Sequence, residues 1–276
     1  MEKKPYLSAL GSDATALAAA ARLGLDAAVP FCPGWIVANL LIHLGTVHRG
    51  RLPVIEVHGA EWPVDVRRRV LEQTFPGLIE LFEHGEKGVT AQIIPDGLID
   101  WFEEGAAELE VALRQTDLDE PFWQPPGWPS PSTNTVRVFL RAANIETAVH
   151  RWDAQLAHHC TWPINQDVAE VGIKQALREG IVANRWYVRE FGNAAAPAGR
   201  GERYLFQQTD GTGAWLVRFE DDNVAVENQA STADVTVRAS ASDLFLFLWH
   251  RIPARHLDVT GDATLLDRYF ELAPPL

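Results

Sequence analysis

Apolar residues recur at helical spacing through the first two-thirds of the chain and at a spacing of two after that. This predicts a helical domain followed by one that contains a sheet. "SDATALAAAARLGL" opens on Ser12, a good N-cap type, and is rich in alanine, so a helix is predicted from there. "VPFCPGW" stops it, because Pro30, Pro33 and Gly34 cannot all continue a helix. In "WIVANLLIHLGTVHRGRL" two adjacent stripes predict a second helix, which Pro53 ends or kinks. One stripe is Val37, Leu41, Leu44 and His48; the other is Ile36, Leu40, His43 and Val47. "VDVRRRVLEQTFPGLIELFEHG" gives mixed signals and is divided by Pro76 and Gly77. "DGLIDWFEEGAAELEVALRQT" is a third long helix, with Leu98, Trp101, Phe102, Ala106, Leu109 and Leu113 along one side.

Residues 117–135 are proline-rich and carry Trp123 and Trp128, so they read as a loop that either closes a pocket or packs over the core. The fourth long helix runs from about Val136 to His158, with a core stripe of Val138, Ala142, Ile145, Val149, Trp152 and Leu156. "NQDVAEVGIKQALREGIVANRWYVREF" predicts one further helix, and "GNAAAPAGRGE" a linker. Beyond it come four short strands with turns at Asp210 to Gly213 and Asp221 to Asn223. An apolar helix capped by Ser240 or Ser242 follows, then a short strand and a closing helix. The fold class is therefore α+β, a helical bundle over residues 1–195 and a small α+β domain over 196–276.

Charge narrows the partners. A formal net charge of −13 argues against a general phosphate-backbone binder, so no nucleic acid is expected. Of the 24 basic residues only Lys3, Lys4, Lys87 and Lys174 are lysines. An arginine-lined pocket could serve a carboxylate substrate, although ordinary surface ion pairs are the plainer explanation of the arginines. Cys32 and Cys160 are far apart and read as small buried hydrophobes in a reducing compartment. No signal-length or membrane-length apolar run is present, so the expectation is a cytoplasmic protein, monomeric or a small homo-oligomer.

Candidate chemistry sits in "NIETAVHRWDAQ". Glu146 and His150 lie one helical turn apart, flanking the stripe of Ile145 and Val149, with Arg151 and Gln155 on the outward side. His43 stands in an inward stripe of the second helix. Two imidazoles and a carboxylate from two helices are the set that a catalytic zinc with an open position needs, and bundles build metal sites in this way. A surface Glu/His pair and a carbonyl-bonded buried His remain open as the plainer reading. His48 points some way round from His43, while His158 and His159 read as helix-end caps. His58, His84, His250 and His256 show no partner pattern.

"VPFCPGWIVANLLIHLGTVHRG", "FLRAANIETAVHRWDAQLA" and "ADVTVRASASDLFLFLWHRIP" with "LDVTGDATLLDRYF" resemble, in order, segments of the mycothiol-dependent maleylpyruvate isomerase family. The resemblance implies a DinB-like four-helix bundle joined to the α+β domain. It places His43, Glu146 and His150 at the positions of divalent metal ligands, usually zinc, and makes mycothiol the thiol cosubstrate. It also implies a functional arginine in the C-terminal domain, best matched by Arg251 with Arg238 behind it. Arg251 and His48 are then the catalytic candidates, and Arg151 and Arg238 the candidates for holding the cofactor. A helix-end charge is the plain alternative for Arg251. The sequence departs from the family where a His often precedes the Glu, since that place is Ile145.

The implied activity is thiol attack on a small electrophile, as a cis–trans isomerase or an S-transferase. That fits the absence of a His near either cysteine in sequence. A metal hydrolase with a bound water is the alternative, with Asp153 or His48 as the only nearby bases, and a non-catalytic ligand-binding module is a third reading.

Overall fold

A computed structural model describes residues 3–56, 94–122, 135–191 and 195–274. The segment at 64–85, Trp123, Trp128, His58 and His84 lie outside the described residues. The described residues up to Pro163 form one compact unit and those from Ile164 another.

The first unit contains α1 (Lys3–Ala21), α2 (Val37–Glu56), α3 (Leu98–Gln115) and α4 (Val136–Ala157). Helix α1 begins well ahead of Ser12. Pro5 falls in its first turn, where a missing N–H removes no helical bond. Lys3 Nζ anchors that start by donating to the carbonyls of Arg114, at 2.8 Å, and Thr116. Helix α2 runs through Pro53 rather than stopping at it. Leu17, Leu40, Leu41, Leu44, Phe102 and Ala154 are fully buried in the core between the helices. Each large apolar side chain there contributes about 1.5–3 kcal/mol by leaving water. All six residues of the stripe predicted for α3 are buried.

Helix α4 buries Ile145, Val149 and Trp152 of its predicted stripe, leaves Val138, Ala142 and Leu156 partly exposed, and buries several polar residues outside the stripe. Asn144, Thr147, Arg151, Asp153 and Gln155 are all inside. The outward placement of Arg151 and Gln155 is therefore corrected: each is only 2% exposed. Arg151 donates from Nε to Asp13 Oδ1 of α1 at 3.1 Å and from its terminal nitrogens to Gln155 and to the carbonyls of Trp162 and Pro163. A buried guanidinium is tolerated because its donors are met and its charge is paired.

By compactness the division falls at Pro163/Ile164, ahead of the break expected near residue 195. The single helix expected over 165–191 is α5 (Gln166–Gln175), a π-helical turn (Ala176–Gly180) and α6 (Ile181–Phe191). The unit also contains the helices α7 (Ala241–Leu248) and α8 (Leu265–Leu272), with a short 3-10 turn, Ala254–His256, between them. Gly172 of α5 faces the ring of Phe245 on α7 so closely that a Cβ would stand 2.2 Å from it. The Ile164 N–H also donates to Ser242 Oγ at 2.9 Å. These contacts tie α5 to the sheet-bearing part of the chain.

The sheet comprises β1 (Gly199–Gln208), β2 (Ala214–Asp221), β3 (Asn223–Glu227), β4 (Val235–Ala239) and β5 (Asp258–Gly261), in the order β3-β2-β1-β4-β5. Neighbours are antiparallel except β1 and β4, which run parallel. Ser240 caps α7 by accepting from the Asp243 N–H. Tyr269 of α8 packs against Tyr204, Phe206 and Phe219 of the sheet.

Candidate metal centre

Residues 28–36 fold into a closed turn before α2. Ala28 and Ile36 form an isolated bridge, the Val29 N–H donates to the Trp35 carbonyl at 2.9 Å, and the Trp35 N–H donates to that of Cys32 at 2.9 Å. Gly34 supplies the left-handed residue this needs, at φ 84°. Asn39 Oδ1 accepts from the Ile36 N–H and so caps the start of α2. Two turns later α2 presents His43 towards α4.

There His43 Nε2 lies 2.8 Å from Glu146 Oε1, and the rings of His43 and His150 meet edge to face at 5.2 Å. One ligand atom from each of His43, Glu146 and His150 lies within 4.8 Å of the others. All three are partly buried, and Trp35 lies against both imidazoles, its ring centre 5.5 Å from His43 and 6.2 Å from His150. Burial pushes the Glu146 carboxyl up, but the hydrogen bond with His43 and the charges of His43, His150 and His48 outweigh it. The result is a value lowered to about 2, so Glu146 is a carboxylate at neutral pH. Two imidazoles and one ionised carboxylate this close fit a divalent cation with room for a further ligand.

A second layer holds the first. His150 Nδ1 lies 3.0 Å from Oδ2 of Asp153, which is fully buried. That bond fixes the ring and leaves Nε2 available for a cation. Cys32 Sγ donates to the same Asp153 oxygen at 3.8 Å. Neither cysteine is a buried hydrophobe: Cys32 is partly exposed and Cys160 exposed, and neither is in a disulfide. Sequence reasoning saw no His near Cys32, and only the closed turn brings the thiol beside His150. The turn residues Pro33 and Gly34 mark the bend without revealing what it faces.

His48 is fully buried behind Glu146, with Nε2 3.2 Å from Thr147 Oγ1. Burial lowers its pKa to about 4; the Glu146 charge raises it and that of His43 lowers it further. His48 is therefore neutral and has no exposed surface with which to meet a substrate. Arg151, a cofactor candidate, is engaged by Asp13, Gln155 and two carbonyls instead. Ile145, directly before Glu146, is 1% exposed and belongs to the core. His158 ends α4 and its Nε2 reaches the Gly24 carbonyl at 3.0 Å.

The two candidate arginines, Arg251 and Arg238, lie in the second unit. Arg251 donates from its side chain to the Trp249 carbonyl at 2.9 Å, just past the end of α7. Arg238, half exposed on β4, stands opposite Asp258 of β5, its Nε 3.9 Å from that carboxylate.

A family model described as the mycothiol maleylpyruvate isomerase N-terminal domain matches residues 7–155. A second, for the C-terminal domain of the same enzymes, matches residues 188–268. The chain belongs to the mycothiol maleylpyruvate isomerase family. The fold of this family is borne out over nearly the whole chain. The crystal structure of a mycothiol-dependent maleylpyruvate isomerase superposes with a TM-score of 0.61 at 13% identity, covering 94% of this chain and 93% of that one. A histidine-to-alanine mutant of such an isomerase superposes equally, with a TM-score of 0.61 at 12% identity over the same shares. No curated protein matches the sequence. Among the described residues no helix is long and apolar enough to cross a membrane.

Proposed function

We propose that this member of the maleylpyruvate isomerase family is a mycothiol-dependent enzyme whose His43, Glu146 and His150 hold a divalent cation, zinc by the chemistry of the donors. The observation that carries this reading is the convergence of those three side chains, from α2 and α4, within 4.8 Å. When bound, the cation supplies a Lewis acid that favours the thiolate form of the cosubstrate thiol. The chain's own residues do the rest. Asp153 keeps the proton on His150 Nδ1, Glu146 stays ionised without needing high pH, and Trp35 shields the two imidazoles from water.

The substrate is a small electrophile such as maleylpyruvate. Release of the thiol after bond rotation gives isomerisation, and retention of the adduct gives S-transfer. A hydrolase needs a base for water, and the nearby candidates are poorly placed for it: Asp153 and His48 are both fully buried.

The test measures cation content together with turnover of maleylpyruvate and other electrophiles, with and without mycothiol. Wild-type protein is expected to carry the cation and to turn over only with the thiol. His43→Ala and Glu146→Ala are expected to lose the cation and at least about a hundredfold in rate. Full thiol-dependent turnover in cation-free His43→Ala sinks the proposal.

A further inference from the structure

His150 has two faces, one turned to the proposed cation and the other held by Asp153. The second face meets Asp153 and Cys32, which contribute a carboxylate and a thiol to a second group of potential ligands. One atom each from Cys32, His150 and Asp153 lies within 4.8 Å of the others. The Sγ to Oδ2 separation is 3.8 Å and the Nδ1 to Oδ2 separation 3.0 Å. Around a tetrahedral zinc, sulfur and oxygen ligands stand about 3.6 Å apart, and nitrogen and oxygen ligands about 3.4 Å apart. The observed edges differ from those by a few tenths of an ångström. Asp153 is fully buried, whereas Cys32 is partly exposed and gives the group an opening to solvent.

We propose that Cys32, Asp153 and Nδ1 of His150 form a second cation seat, selective for thiophilic ions, that shares the imidazole of His150 with the first. It rests on the proposed function only through that shared ring. The thiolate makes this seat softer than the first, whose donors are two imidazoles and a carboxylate, so it favours cadmium, zinc or cuprous ions. Filling it releases the Cys32 thiol proton and the Nδ1 proton of His150, leaving the ring to bridge two cations. It also takes Asp153 from its hydrogen bond with His150. A second ion therefore disturbs the first site, and excess thiophilic metal is expected to inhibit through Cys32.

The test titrates metal-stripped full-length protein with Co(II) and with Cd(II), free of any small thiol. It follows bound equivalents and the sulfur-to-metal charge-transfer absorption. Wild type and Cys160→Ser are expected to bind two equivalents, with the thiolate band. Cys32→Ser and Cys32→Ala, checked for helicity by circular dichroism, are expected to bind one without the band, and His43→Ala one with it. A band that is absent, or that survives both Cys32 substitutions, overturns the second seat. If wild type binds one equivalent without a band and loses it in His43→Ala, the second seat fails and the first stands. If the single equivalent has a band that is kept in His43→Ala and lost in Cys32→Ser, the second seat stands and the first fails. No binding at all overturns both.

Discussion

At the scale of single residues, His48 has the clearest consequence for stability. The ordinary imidazole value of 6.5 is lowered to about 4 by burial. The unfolded chain takes up a proton there as the pH falls through 6.5, while the folded one resists until about 4. Its contribution is thus complete above 6.5, shrinks on the way down and is constant below 4. The loss amounts to about 2 kcal/mol at pH 5 and about 3 kcal/mol in full. His48→Gln is expected to flatten that part of the acid limb, read as urea midpoints at pH 7 and pH 5. An unchanged limb contradicts the assignment. His250, also lowered to about 4 by burial, adds a similar dependence in the second unit. Spacing alone left a surface Glu/His pair open beside a metal site; the resemblance to the family singled out His43, Glu146 and His150, whose ligand atoms do lie within 4.8 Å of one another. Arg151 was not legible, since its burial depends on Asp13 and on the carbonyls of Trp162 and Pro163, partners that no local pattern announces.

Between elements, the close approach of α2 and α3 depends on Gly45. A Cβ at that position would stand 2.2 Å from the ring of Trp101. Arg49, one turn on, lies over the same ring at 5.3 Å and bonds the Trp101 carbonyl at 2.9 Å. Alanine favours helix over glycine by about 1 kcal/mol, yet the clash should win. Gly45→Ala is expected to lower stability by about 1–3 kcal/mol, measured by urea unfolding followed by circular dichroism. A gain in stability would show that the helices stand further apart. Helix existence was well read and helix limits less so. The start of α1 was placed too late because Ser12, a good cap type, lies inside the helix rather than at its end. The π turn at Ala176–Gly180 leaves an apolar pattern that resembles one continuous helix.

Across the whole molecule, the switch from helical to alternating periodicity correctly announced an α+β chain. What it could not give is the sheet order, because the parallel pairing of β1 with β4 depends on contacts distant in sequence. Nor could it place α5 with the sheet, where a single glycine, Gly172, makes room for Phe245. Every residue assigned to the cation, and Asp153 behind them, falls in the unit ending at Pro163. A chain ending after residue 163 is therefore expected to bind the cation in the same proportion as the full protein, by elemental analysis of soluble, helical material. A folded fragment that binds none argues that the remaining residues help to build the site.

The bond between His43 and Glu146 joins positions 103 residues apart. A ribosome that has made α2 has delivered one of the three proposed ligands, and the other two arrive together only when α4 has emerged and docked. Loading with the proposed cation would then wait for nearly complete synthesis of the bundle. Such distant closure also puts the site among the later events of folding.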